Sequence, residues 1–91
     1  MENAFQLGET DRAIADFNEV IRLNPQSYAA YDWRGYVHSS RGEYEKAIED
    51  HTRALEIDSS YPFAHNNLGV LLWHKNDTKG AINSFRRSLQ A

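Results

Sequence analysis

The sequence predicts an all-α fold of antiparallel helix pairs, because three features of the chain agree. The phrase GETDRAIADF at Gly8 returns as GEYEKAIEDH at Gly42 and as NDTKGAINSF at Asn76, at a constant interval of 34 residues. Within each unit the apolar residues recur at helical spacing. No alternating pattern typical of strands competes with this spacing. A chain of 91 residues has room for one small domain.

The helix boundaries are predicted from residues that end a helix. Gly8, Gly42 and Asn76 can adopt the left-handed backbone conformation found at helix ends, and Pro25 cannot continue the helix before it. We therefore predict a short helix over residues 1–7, followed by helices over residues 10–23, 28–41, 44–57, 61–75 and 78–90. The single domain, residues 1–91, then divides into a partial unit over 1–27, a unit over 28–61, and a unit over 62–91 that lacks its last residues.

The composition excludes several classes of function. The formal net charge is -3 and cysteine is absent, so we expect neither a basic surface for nucleic acid or anionic membranes nor a thiolate site. No apolar run approaches the length of a membrane span, and the N-terminus lacks the pattern of a signal peptide. The expectation is a cytoplasmic protein with neither nucleic acid nor membrane among its partners.

The repeated residues carry a family resemblance. The second unit has small and apolar residues in a characteristic order, namely Ala30, Tyr31, Gly35, Gly42, Tyr44, Ala47, Ile48, Ala54 and Leu55. This order resembles the tetratricopeptide repeat, and the stretch AHNNLGVLLWHKNDTKGAINSFRRSL matches it again in the third unit. The resemblance covers the whole chain as about 2.7 units, and it implies a short right-handed solenoid with a concave groove. Because helices cross closely only where side chains are small, we expect Gly35 and Gly69 to face Ala47 and Ala81.

The resemblance implies that the first helix of each pair lines the groove, and the free face of these helices is aromatic. The predicted peptide-binding residues are Asp32, Trp33, Tyr36, Phe63, Asn66, Asn67, Val70, Trp73 and His74. Glu2, Phe5 and Gln6 are what remains of the same face in the first unit. Tryptophan and tyrosine carry much of the binding energy of protein interfaces, and asparagine can pair with a peptide backbone. The predicted function is a protein-protein interaction module that binds a peptide segment or helix of a partner protein in this aromatic groove.

Alternatives to peptide binding remain open. The aromatic residues could pack on one another or on a second copy, which would make the chain a self-associating structural unit. The chain could also be the repeat segment of a larger enzyme or assembly. It has no nucleophile-base signature or phosphate loop of its own, so we predict neither catalysis nor a cofactor. The carboxylate clamp of chaperone-binding relatives is not expected, because among Glu2, Trp33, Phe63 and Asn67 only Asn67 fits that pattern.

Two sets of polar residues are predicted on the packing faces. His38, His51 and His65 could approach one another, but they lack tight ligand spacing, so we predict hydrogen-bonded core residues and no metal site. Arg34 stands where the third unit has Leu68, and Asp16 and Asp50 stand where that unit has Ser84. Because the arginine and the aspartate disappear together, we predict a structural ion pair of Arg34 with Asp50, Asp16 or both. The alternative is that Arg34 extends to solvent along its aliphatic stem.

Overall fold

The computed structural model describes the backbone of residues 4–90 and the side chains of residues 8–90. The elements are five helices, namely α1 (Ala4–Leu23), α2 (Tyr28–Ser40), α3 (Tyr44–Ile57), α4 (Pro62–His74) and α5 (Thr78–Gln90). Over these residues there is no strand, which confirms the all-α class. No helix in the same range is long and apolar enough to cross a membrane.

The N-terminal part of the prediction is wrong at Gly8. Helix α1 runs from Ala4 to Leu23 without a break, and the glycine with a left-handed backbone in the described range is Gly42, not Gly8. Ending a helix at Gly8 would leave several backbone groups without partners, whereas continuing it adds one hydrogen bond per residue. The predicted separate helix over residues 1–7 is therefore part of α1 from Ala4 onward, and residues 1–3 lie outside the described range.

The two later turns follow the prediction. Gly42 has φ 78° and Asn76 has φ 65°, so both adopt the left-handed conformation that ends a helix. After α2 the N–H of Glu43 donates to the carbonyl of His38 at 2.9 Å. After α4 the N–H of Asp77 donates to the carbonyl of Leu72 at 2.8 Å. These closures reverse the chain and direct α3 back along α2, and α5 back along α4.

The helices stack as pairs around small residues. α2 packs on α3, α4 packs on α5, and the pairs join through α3 and α4, with a smaller contact between α2 and α4. The buried apolar residues are mainly alanines, namely Ala30, Ala47, Ala54, Ala64 and Ala81, together with Leu71. This core is thin, so polar residues fill much of the remaining space between the helices.

A ring of the facing helix occupies the space beside each of the two glycines at the helix crossings. A Cβ atom on Gly35 would lie 2.9 Å from Cε1 of His51, and one on Gly69 would lie 2.8 Å from the ring of Phe85. The nearest neighbours are thus His51 and Phe85, one helical turn after the predicted Ala47 and Ala81. A larger side chain on the facing helix reaches into the space that each glycine leaves, and Ala47 and Ala81 are themselves fully buried.

Candidate functional site

A pocket of about 560 Å³ lies beside α2 and the start of α4, and we call it the aromatic pocket. It is lined by Asp32, Trp33, Tyr36, Tyr61, Phe63 and Asn67. Three of its rings are well exposed, with 54% of Trp33, 55% of Tyr36 and 66% of Phe63 open to solvent. Large aromatic side chains exposed together on one face are typical of a binding surface.

The rings of the aromatic pocket are arranged edge to face. The ring centroids of Trp33 and Tyr36 are 6.0 Å apart at an interplanar angle of 75°, as expected for neighbours three residues apart on α2. Those of Tyr61 and Phe63 are 5.6 Å apart at 67°. Such pairs stabilise one another, so two ring pairs from two helix pairs are held around one space.

The floor of the aromatic pocket is a buried carboxylate. Asp32 is only 4% exposed, although the sequence places it on the free face of α2. His51 Nδ1 lies 2.7 Å from Asp32 Oδ1, and because an ionised carboxylate only accepts, the imidazole donates through Nδ1. Asn67 Nδ2 approaches the same carboxylate at 3.3 and 3.4 Å. Asp32 thus connects three helices at the base of the pocket.

A second pocket of about 240 Å³ continues the groove along α2 and α4. Its lining residues are Tyr36, Ser39, His51, Asn67, Val70 and Leu71. The two pockets share Tyr36 and Asn67. Of the predicted peptide-binding residues, the structure therefore brings together Asp32, Trp33, Tyr36, Phe63, Asn67 and Val70.

The remaining predicted residues lie outside both pockets. Asn66 and Trp73 are exposed on α4, Trp73 to 59%. His74, at the end of α4, stacks on Tyr44 of α3 with centroids 5.8 Å apart and an interplanar angle of 14°. Glu2 lies outside the described residues, and the side chains of residues 5 and 6 are likewise outside them.

Tyr61 was missed by sequence reasoning. It caps the start of α4 and so stands outside the face that helical spacing defines. Its ring contacts Tyr28 with centroids 4.8 Å apart, which fixes it beside the pocket. Burial, followed by the negative charge of Asp32, raises the pKa of the Tyr61 phenol. The sequence contained one signal for Tyr61. The equivalent position of the preceding unit is the polar Ser27, so an aromatic residue there departs from the repeat.

Arg34 lies against Asp50 on the packing face of the second unit. Its Nε and Nη2 donate to the two carboxylate oxygens at 2.8 and 2.6 Å, a bidentate arrangement. Nη1 donates to Asn18 of α1 at 2.9 Å. These hydrogen bonds to Asp50 hold the pKa of Arg34 above its usual value.

Asp16 does not share in this pair. It is exposed, and among residues 8–90 the hydrogen-bond partners of Arg34 are Asp50 and Asn18. Asp50 faces Arg34 across the helix pair of α2 and α3. Of the alternatives that the sequence left open, the structure therefore has the pair of Arg34 with Asp50 alone.

The histidines are separate, hydrogen-bonded side chains. His38 Nδ1 lies 2.9 Å from a carboxylate oxygen of Glu43, and this contact holds the pKa of Glu43 below its usual value. His65 Nε2 lies 2.7 Å from the carbonyl oxygen of Ser59, and His51 contacts Asp32. Within the described part of the chain, no three histidine or acidic residues converge as metal ligands.

The stacked pairs and the aromatic groove define a helical-repeat module for protein interaction. A family model described as "TPR repeat" matches residues 35–76, and one described as "Tetratricopeptide repeat" matches residues 3–27 and 64–91. The chain belongs to the tetratricopeptide repeat family, whose domains are in general non-catalytic interaction modules.

Individual relatives support the same assignment. Tetratricopeptide repeat protein 13 of Homo sapiens is 32% identical over 84 residues, which is 92% of this chain and 10% of that protein. A crystal structure of MamA has a TM-score of 0.86 at 29% identity, covering 94% of this chain and 50% of that one. The second repeat domain of Spaghetti (RPAP3), solved with an HSP90 peptide, has a TM-score of 0.86 at 24% identity, covering 94% and 80%, and supports the fold alone. The chain spans between 10% and 42% of the length of the curated relatives it matches.

Proposed function

We propose that this module binds an extended segment or a helix of a partner protein in the groove formed by α2 and α4. The observation that carries the proposal is the exposure of Trp33, Tyr36 and Phe63 around a single pocket. Burying such rings against a partner removes a large apolar area from water, and tryptophan and tyrosine are the residues that most often dominate binding energy.

The polar groups of the groove suit a peptide backbone. Asn67 lies where the two pockets meet, and its side-chain nitrogen is directed at Asp32. Its carboxamide oxygen accepts no hydrogen bond from the described residues, so it is available to a backbone N–H of the bound segment. In this proposal the aromatic side chains anchor the partner and Asn67 sets its direction.

The proposal is tested by selecting peptide ligands from a displayed library with the purified chain and measuring their affinity by calorimetry. Trp33→Ala and Trp73→Ala should each weaken binding by about 2 kcal/mol, or roughly 30-fold, if both ends of the groove are used. Tyr44→Ala is the matched control, because it removes an exposed aromatic residue of α3 that lies outside both pockets.

Circular dichroism of each variant establishes that the helices are retained. A folded Trp33→Ala variant that binds the selected peptides as tightly as the parent chain would remove the aromatic pocket from the interface. Loss of affinity in Trp33→Ala but not in Trp73→Ala would restrict the interface to the aromatic pocket and its neighbour.

Self-association is the second candidate, favoured by apolar residues on the outer helices. Val20 and Leu23 of α1 are 43% and 69% exposed, and Ile82 and Leu89 of α5 are 47% and 88% exposed. In a stacked array these positions would be covered by the next pair. We expect weak association in light scattering across a concentration series. A folded, strictly monomeric chain at high micromolar concentration would contradict this candidate.

The proposal extends to the setting of the module. We place it in the cytoplasm, as a non-enzymatic segment of residues 1–91 divided at about residues 27 and 61, without nucleic acid or membrane as a partner. The support is the acidic net charge of -3 and the absence of a catalytic signature in the sequence. Because the chain spans only part of its relatives, the proposal concerns this segment and not the activity of a larger protein that contains it.

A further inference from the structure

We infer that the aromatic pocket takes a basic side chain, lysine or arginine, of the bound partner segment. The inference deepens the proposed function, because it names the partner residue that the pocket recognises. It depends on three features of the pocket: open aromatic faces, a buried carboxylate at the floor, and the absence of any basic residue among its six described lining residues.

The aromatic walls suit a cation. Trp33, Tyr36 and Phe63 line the pocket and are each more than half exposed, and edge-to-face packing lets the partner ring cover only one ring face in each pair. A cation over the face of such a ring is attracted by its quadrupole, most strongly by tryptophan. The chain already uses this interaction, since the guanidinium groups of Arg34 and Arg53 lie 5.4 and 5.8 Å from the ring centroid of Tyr31.

The carboxylate at the floor adds charge complementarity. Asp32 is fixed by a short hydrogen bond from His51 to Oδ1, while from the side chains of residues 8–90 Oδ2 receives only the long contact of 3.4 Å from Asn67. A carboxylate can accept about four hydrogen bonds, so Asp32 keeps acceptor capacity toward the pocket. Because it lies in a partly desolvated site, its field is screened less than that of a surface acid.

The field of Asp32 reaches Tyr61, another residue that lines the pocket. The charge of Asp32 is the second cause, after burial, of the raised pKa of the Tyr61 phenol. An acidic side chain entering this space would meet a like charge, and an apolar one would leave the carboxylate without a new partner. A basic side chain satisfies both the rings and the carboxylate, and the pocket of about 560 Å³ has room for it together with adjoining backbone.

The test uses capped single amino acids as probes and the two tryptophan indole signals in NMR spectra of the isotopically labelled chain. The probes are the N-acetyl, N-methylamide forms of lysine, arginine, norleucine and glutamate. Trp33 lines the pocket and Trp73 does not, so the molecule supplies its own reference signal. We expect lysine and arginine probes to shift the Trp33 indole with at least about five-fold higher affinity than norleucine, while Trp73 stays unmoved.

Two variants test whether the preference for basic probes depends on the charge of Asp32 and on the ring of Tyr36. Asp32→Asn keeps an oxygen for His51 and removes the charge, and it should reduce the advantage of lysine over norleucine to less than about two-fold. Tyr36→Leu keeps apolar surface and removes one exposed ring, and it should lower affinity for both basic probes while the Trp33 readout remains. If Asp32→Asn does not fold, the probe affinities of Tyr36→Leu test the inference.

The outcomes separate this inference from the proposed function. Equal affinity for lysine and norleucine at Trp33, preference for glutamate, or no Trp33 response to either basic probe would overturn the inference. Library peptides that lack a basic residue but still depend on Trp33 would also overturn it and leave the proposed function standing. Basic probes that bind at Trp33, with no peptide selected, would uphold the pocket's preference for a basic side chain and contradict the groove as a peptide site.

Discussion

The two complete helix pairs have the same backbone plan but different interiors. In the pair of α2 and α3, a bidentate ion pair joins Arg34 to Asp50, and His51 is hydrogen-bonded to Asp32. In the pair of α4 and α5, the equivalent positions are Leu68, Ser84, Phe85 and Asn66. Both pairs have a glycine at the crossing of their helices, Gly35 and Gly69. Polar contacts therefore hold α2 against α3, whereas largely apolar contacts hold α4 against α5.

The difference shows that the polar residues change in matched sets. The loss of Arg34 between the units accompanies the loss of Asp50, and the loss of His51 accompanies the loss of Asp32. This is the expected behaviour of buried polar groups, because each is tolerated only while its partner is present. The pair of α2 and α3 thus contains two polar contacts, Arg34 with Asp50 and Asp32 with His51. The second of these contacts also forms the floor of the aromatic pocket.

The largest effect that would test this comparison is the loss of the ion pair. Asp50→Ala should lower the free energy of unfolding by about 2–3 kcal/mol, because it leaves a half-buried guanidinium with only Asn18 as a hydrogen-bond partner among the described side chains. The double change Arg34→Leu with Asp50→Ser copies the third unit and should recover much of this loss. Urea denaturation measures all of these values.

The matched control for the ion pair is Ser84→Ala in the other pair. Ser84 is buried at the position equivalent to Asp50 but carries no charge, so its removal should change stability by less than about 1 kcal/mol. Strictly additive effects of Arg34→Leu and Asp50→Ser in a double-mutant cycle would mean that the two side chains do not stabilise each other.

Repeat comparison explains which parts of the structure were predictable. The spacing of apolar residues predicted four of the five helices to within one residue at either end, because packing and turn residues agree there. The pair of Arg34 and Asp50 could be inferred because both residues break the repeat at once. Gly8 was misjudged because a glycine ends a helix only where the chain after it reverses.

The floor of the groove was harder to predict. Helical spacing assigned Asp32 to the free face of α2, and nothing local indicates that His51 reaches it from α3. That contact depends on how the two helices cross, which is set by the three-dimensional packing around Gly35. The simultaneous change of Asp32 to Asn66 and of His51 to Phe85 between units was the clue in the sequence.

The second prediction tests whether Asp32 and His51 stabilise the fold as a coupled pair. His51→Phe places the residue of the apolar pair in the polar one and should destabilise the fold by about 2 kcal/mol, because buried Asp32 loses its shortest hydrogen bond. Adding Asp32→Asn, which completes the pattern of the third unit, should restore about 1 kcal/mol. Thermal and urea unfolding of the single and double variants provide the measurement. A double variant less stable than His51→Phe alone would show that the two residues are not a coupled unit.

The smallest and most selective test concerns the glycines at the two crossings. An added Cβ would lie 2.9 Å from the His51 ring at Gly35 and 2.8 Å from the Phe85 ring at Gly69, so both substitutions to alanine force the facing ring to move. The His51 ring is held by Asp32, whereas the Phe85 ring has no hydrogen bond to lose. We therefore expect Gly35→Ala to cost about 1–2 kcal/mol and Gly69→Ala to cost less.

Gly8→Ala is the control, because nothing lies within 4 Å of that Cβ and the residue is inside α1, so alanine should stabilise the chain by up to about 1 kcal/mol. If Gly69→Ala were the more damaging of the two, the hydrogen bond to Asp32 would not be what makes the first crossing rigid.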